Sequence, residues 1–265
     1  MKTIGKLSLA LLFGVSVYLT SCNKDDANSS EPATIRMNLT DAPADYDAVL
    51  IDVREVHIHF EGDGEDEGWE ELENIRPGIY NLLDFTNGVD TLIAEGDVPA
   101  RRINQIRLIL GPDNDVVIDG VSYDLKTPSA QQSGLKLNVQ ETLEPGLVYE
   151  FWLDFDASRS IVTTGNGKYI LKPVIRVFTR LTTGSIEGVI NPAAAHPGVL
   201  VYNTAGDTAA ARADEVSGYF LVPGLKGGSY TVEFDPVSPY QSKSESGVIV
   251  TTGIVTDMGT VSIVQ

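Results

Sequence analysis

Glu55, His57 and His59 stand two residues apart in the stretch Val53-Arg54-Glu55-Val56-His57-Ile58-His59. On an extended chain, residues at i, i+2 and i+4 leave from one face, so a carboxylate and two imidazoles in that row have the chemistry to hold a divalent metal. The other face, Val56, Ile58 and Phe60, equally describes a half-buried strand whose polar set meets water. The third histidine, His196, lies far along the chain, so a closed site would need distant carboxylates, and no metal is assigned. A second set is Trp152, Asp154 and Asp156. Side chains at i and i+2 on a strand sit roughly 7 Å apart, inside the range of the paired carboxylates of glycoside hydrolases, and an aromatic beside two acids suits a sugar. Phe151, Leu153 and Phe155 take the alternate positions, which is also what an ordinary sandwich strand with two surface acids looks like. A third set, Asp63, Glu65 and Glu67 followed by Gly68, spaces carboxylates as calcium loops do. Its twelfth position is Asn74, where a bidentate glutamate is needed, and no helical pattern flanks it. It reads as a charged hairpin tip.

The elements that must carry these residues are strands. Ile35, Met37 and Leu39, then Val49 to Phe60, then Ile106, Leu108 and Leu110 repeat with period two. Turn signals separate the runs, among them Asp41-Ala42-Pro43, Gly111-Pro112-Asp113-Asn114, Asp119-Gly120 and Pro145-Gly146. No segment keeps a helical stripe for three turns. Between Asn81 and Glu95 one or two helical turns can form before Asn87-Gly88 cuts them. Many short strands punctuated by Gly and Asp predict an all-β chain built of antiparallel sandwiches. After Leu181-Thr182-Thr183 the composition shifts to Gly, Ser, Thr and Val, so the expected domains are residues 34–181 and 184–265. No nucleophile elbow, phosphate loop or dinucleotide fingerprint follows a strand, and neither a cofactor nor an enzymatic activity is expected.

The only cysteine among the 265 residues, Cys22, closes the only long apolar run. Lys2 and Lys6 give a positive start, Leu7 to Leu19 an apolar core, and small or hydroxylated residues precede Cys22, which is the pattern of a secretory signal over residues 1–21. The run is too short to span a bilayer. Removing it takes away two of the 19 basic groups and moves the net charge from −18 to about −20. Such a chain repels phosphate backbones, so nucleic acid is excluded as a partner, while a glycan or protein ligand stays open. With no second cysteine there is no disulfide, and stability must come from buried sheet surface. Asn23 to Ala33 has no periodic apolar residue, and residues 22–33 read as a flexible tether.

Several of these stretches resemble known signals and families. Leu19-Thr20-Ser21-Cys22 resembles a bacterial lipobox, which implies a diacylglycerol on Cys22, cleavage before it, and attachment to a membrane. Lys24-Asp25-Asp26 resembles the surface-export signal of Bacteroidota lipoproteins, which implies an outer-membrane protein exposed at the cell surface. Leu39-Thr40-Asp41-Ala42-Pro43, Val53 to His59, Gln105-Ile106-Arg107-Leu108, Leu153-Asp154-Phe155-Asp156 and Tyr169-Ile170-Leu171-Lys172-Pro173 resemble, in order, the motifs of a Bacteroidota lipoprotein family, domain of unknown function 4382, over about residues 34–180. In place of that family's usual small-Gly-x-Tyr step stands Ala100-Arg101-Arg102-Ile103. Residues 184–265, with Asp214 to Phe220, Gly224-Leu225 and Gly228-Ser229-Tyr230, resemble the carboxypeptidase regulatory-like domain, a seven-stranded prealbumin-like sandwich that implies a scaffold and no peptidase. The expected function is a non-enzymatic binding or structural lipoprotein. The alternative is a carbohydrate-handling protein or weak hydrolase using Asp154 and Asp156.

Overall fold

A computed structural model describes residues 31–265 except 65–66, 128–133 and 166. The expected signal peptide, Cys22, Lys24, Asp25 and Asp26 lie outside the described residues, as does Glu65 of the acidic loop.

The apolar alternation becomes strand wherever it runs. The first part of the chain forms β1 (Ala33–Ala42), β2 (Ala48–Phe60), β3 (Trp69–Glu71), β4 (Asn74–Ile75), β5 (Gly78–Asn81), β6 (Thr91–Val98), β7 (Arg102–Leu110), β8 (Asp115–Ile118), β9 (Val121–Lys126), β10 (Leu135–Thr142), β11 (Val148–Asp156), β12 (Ile161–Thr163), β13 (Tyr169–Leu171) and β14 (Ile175–Phe178). These make a five-stranded sheet in the order β14-β11-β1-β6-β4 and a second sheet in the order β10-β7-β2-β8-β9-β13-β12, with β3 and β5 also paired to β2. The second part forms β15 (Gly184–Asn191), β16 (Gly198–Tyr202), β17 (Thr208–Arg212), β18 (Tyr219–Leu225), β19 (Gly228–Asp235), β20 (Lys243–Val250) and β21 (Val255–Ser262). They stack as a three-stranded sheet, β18-β15-β21, and a four-stranded one, β17-β16-β19-β20. Most ladders are antiparallel. The exceptions are β1 with β11, β13 with β9 and β15 with β21, which are parallel.

Each pair of sheets closes over its own core. Ile35, Met37 and Leu39 of β1, Phe151, Leu153 and Phe155 of β11, and Ile106 and Leu108 of β7 bury the first. Ile186, Phe220, Val222, Val232 and Phe234 bury the second, and no residue belongs to both. Strand β2 serves the first core with two different parities. Val49, Ile51 and Val53 point inward, then Val56, Ile58 and Phe60 do, because the register with β7 slips between Val53 and Glu55. A bulge adds one residue to a strand and so exchanges its faces. Without it the second apolar row would face water.

That bulge adjoins a buried polar node. Asp52, fully buried, accepts from the Arg54 guanidinium at 2.7 Å, while the Asp52 amide donates to Asn114 Oδ1 at 2.9 Å and Asn114 Nδ2 donates to the Gly111 carbonyl at 2.7 Å. The Gly111 to Asn114 turn is thus stapled to β2. The expected short helical segment is a 3-10 turn at Leu82–Phe85, and it ends before Asn87 and Gly88, both of positive φ. A single α-helical turn, α1 (Ala157–Ser160), follows β11.

Candidate functional site

The polar row of β2 divides into two environments. His57 Nε2 lies 2.8 Å from Glu55 Oε2, on the half-exposed outer face. His59 leaves from the same face but is only 5% exposed. Its Nδ1 lies 2.8 Å from Asn104 Oδ1, and its Nε2 lies 2.9 Å from the Gly64 carbonyl and 3.1 Å from that of Glu67. Burial disfavours the imidazolium, yet those carbonyls, Asn104 and the charge of Asp63 together hold its pKa above the usual histidine value. The structure therefore separates His59 from Glu55 and His57, because its Nδ1 is engaged by Asn104 of β7 and its Nε2 by the Gly64 and Glu67 carbonyls. Opposite His57 on β3 stands Glu71, which comes within reach of Glu55 and His57 instead. The spacing along β2 alone could not indicate it.

The acidic loop turns on its own charges. Arg101 reaches Asp63 Oδ1 at 2.8 Å and sits 4.9 Å from the centre of the Phe60 ring, so Asp63 is engaged by a cation and is held below its ordinary pKa, first by that hydrogen bond. The arginine that stands in the Ala100-Arg101-Arg102 step thus pins the neighbouring hairpin.

The outer face of β11 is not the watery face that alternation predicts. Trp152 is 4% exposed and Asp154 is 6% exposed, since Phe178, Arg180 and Asp90 surround the first and Arg176 covers the second. Trp152 stacks on Phe178 at 5.8 Å and donates through Nε1 to Asp90 Oδ2 at 2.8 Å. Arg180 lies over the same indole at 4.4 Å. Asp154 faces Arg176 directly across the β11–β14 ladder, and Arg176 grips it through Nε at 3.0 Å and through Nη2. The same guanidinium donates to the carbonyls of Pro223 at 3.3 Å and Gly224 at 3.4 Å in the second sandwich. Burial raises the pKa of Asp154, and Arg176 opposes the rise. Asp156 caps α1, accepting from the Arg159 amide at 3.0 Å and from Ser158 Oγ at 2.7 Å.

Beside these acids is a third, which in the sequence stands both in a turn signal, Asp41-Ala42-Pro43, and in the motif Leu39 to Pro43. Asp41 continues the inward row of β1 and is 5% exposed. Its Oδ1 accepts from the Ala157 amide at 3.1 Å, and its Oδ2 has no partner. Burial, with the charges of Asp154 and Asp156 adding to it, pushes its pKa up to about 9. Asp41 therefore holds a proton at neutral pH.

Between the two sandwiches a cleft of about 540 Å³ opens, lined by Asp154, Asp156, Arg159, Arg176, Asp207 and Lys226 among others. Lys226 Nζ pairs with Asp207 Oδ1 at 3.2 Å on the far wall. Asp45 and Arg212, 2.6 Å apart, tie the sandwiches together at another point. Two glycines of positive φ let the surfaces meet: a Cβ on Gly224 would lie 2.5 Å from the Phe178 ring, and one on Gly88 would lie 2.4 Å from Leu221.

Comparison with curated proteins finds no match. Among solved structures, the chain is similar to the Bacillus anthracis TIE protein at 12% identity and a TM-score of 0.25, covering 88% of this chain and 34% of that one, about a third of its length. It is similar to GBS52, the minor pilin of Streptococcus agalactiae, at 11% identity and a TM-score of 0.24, covering 86% and 94% of the two chains. It is also similar to the shaft pilin SpaA from Lactobacillus rhamnosus GG at 10% identity and a TM-score of 0.23, covering 87% and 96%. Likenesses this slight speak to no activity. Residues 32–173, more than half of the chain, match the family described as a domain of unknown function, DUF4382, and the protein belongs to that family.

Proposed function

We propose that the protein is a non-enzymatic module, lipid-anchored through Cys22 to the outer membrane and displayed at the cell surface, that serves as a binding or structural element. The observation that carries the reading is the use made of Asp154. The acid best placed by sequence for catalysis is gripped by Arg176, and that guanidinium also holds two carbonyls of the second sandwich. A carboxylate committed in this way braces a joint. General acid–base work needs a group within reach of substrate with its proton free to move. The signal pattern from Lys2 to Cys22 supports the anchor, and Lys24-Asp25-Asp26 supports surface display. The net charge argues against nucleic acid as a ligand. Residues 184–265 fit the reading as a carboxypeptidase regulatory-like scaffold, and the chain as a Bacteroidota lipoprotein.

Protease shaving of intact cells tests the address. Added protease should remove the parent protein, Cys22→Ala should release it from the membrane, and alanine at Lys24, Asp25 and Asp26 together should leave it anchored but protected. Equal protection of parent and triple variant would place the protein on the periplasmic side. The second reading, a carbohydrate-handling protein or weak hydrolase using Asp154 and Asp156, has the inter-sandwich cleft in its favour. A glycan-array hit abolished by Asp156→Asn and by Lys226→Ala would replace the first reading with it.

A further inference from the structure

We propose that Glu55, His57 and Glu71 form a binding site for a divalent transition metal of the zinc type. The three come from two strands whose pairing fixes their relation. Strand β2 supplies Glu55 and His57 two residues apart on its outer face, and β3 supplies Glu71 directly opposite His57. One ligand atom from each lies within 4.8 Å of the other two, and His57 Nε2 is already 2.8 Å from Glu55 Oε2. Ligands about 2.0 to 2.2 Å from a tetrahedral zinc stand roughly 3.3 to 3.6 Å apart, so binding requires the carboxylates to close inward from the present spacing. The partial exposure of Glu55 and His57 leaves room for water as a fourth ligand.

The local charge is arranged to favour a cation. Among the described residues no lysine or arginine stands within ion-pair distance of Glu71, and Glu55 is paired only with His57. The nearest candidate cation on the neighbouring strand, Arg107, also faces His57, but its guanidinium lies 3.8 Å over the Trp69 ring. Trp69 in turn contacts the His59 ring at 4.8 Å. This stack fixes β3 two residues before Glu71 and keeps the arginine occupied. One imidazole with two carboxylates suits zinc, cobalt, nickel or copper, whereas calcium and magnesium take oxygen ligands throughout.

The test is titration of the whole chelator-treated protein, in detergent, with zinc chloride in a calorimeter, and with cobalt followed by its visible absorption. The expected result is one equivalent bound, with affinity lowered at least tenfold by His57→Ala and by Glu71→Gln, and unchanged by His196→Ala. Glu71 is exposed, so its variant keeps the fold and isolates the ligand. Absence of a one-equivalent event would overturn the proposal, as would equal affinity in parent and Glu71→Gln, or calcium binding as tightly as zinc.

Discussion

A carboxylate aimed into hydrocarbon must surrender its charge or find compensation for it, because desolvation disfavours the ionised form. Asp41 surrenders its charge. Its folded-state pKa of about 9 stands far above its ordinary 3.8, so the folded protein binds a proton that the unfolded chain releases. The sign follows: this group favours folding most below about pH 4, and the contribution is lost progressively as pH climbs toward 9. Asp41→Asn keeps an oxygen for the Ala157 amide and carries no charge, so it should raise the melting temperature at pH 8 more than at pH 5, with a gain of at most a few kcal/mol. Equal shifts at both pH values would mean that Asp41 is not protonated in the fold. Asn114 makes the opposite kind of commitment, both ends of its amide being used inside the protein. Asn114→Ala should cost about 2 kcal/mol in urea unfolding, since it takes the acceptor from the buried Asp52 amide and removes a donor to the Gly111 carbonyl. The period of Ile35, Met37 and Leu39 carries residue 41 into the inward row, but Asp41-Ala42-Pro43 reads as a turn, so the burial of Asp41 is not among the expectations from sequence. Asn114 was not legible, because its partner Asp52 is 62 residues away.

Strands were the easiest elements to read and their faces the hardest. Periodicity located β1, β2, β7 and β11, and placed Phe151, Leu153 and Phe155 inward as found. The bulge in β2 does leave a mark, since the apolar positions change from odd (Val49, Ile51, Val53) to even (Val56, Ile58, Phe60) across Arg54-Glu55, but periodicity alone does not show that both rows serve one core. Nor could it show that the outer face of β11 is covered, because what lies over a face is decided by another part of the chain. The pair Asp154 and Arg176 is where this matters most. Breaking a buried pair from one side leaves an uncompensated charge, at a cost of about 3 to 5 kcal/mol, whereas replacing both partners is far milder. Arg176→Met should therefore be strongly destabilising, and Asp154→Asn combined with Arg176→Met should recover much of the loss. A double variant as unstable as Arg176→Met alone would show that the contacts of Arg176 with Pro223 and Gly224 outweigh its pairing with Asp154.

At the scale of the molecule the question is how far two cores behave as one. They share no buried residue, and the second has seven strands in two sheets that enclose its own core. Residues 184–265 should fold when expressed alone, since a domain of this size can bury enough surface to be marginally stable. Yet the joint is specific: Asp45 pairs with Arg212, Arg176 reaches the Pro223 and Gly224 carbonyls, and glycines at 88 and 224 admit Leu221 and Phe178. Contacts made only when both sandwiches are folded stabilise each of them by linkage. The fragment should then unfold cooperatively but at a lower temperature than the same sandwich within the chain. Gly224→Val tests the origin of that difference. A side chain there meets the Phe178 ring and adopts an unfavourable positive φ, so it should open the joint and split the melting curve of the whole protein into two transitions. In the isolated fragment Phe178 is gone, and the same substitution should cost only the backbone strain, about 1 to 3 kcal/mol. A fragment as stable as the intact chain would show that the two sandwiches are merely tethered. A fragment without a cooperative transition would show that the second core depends on the first.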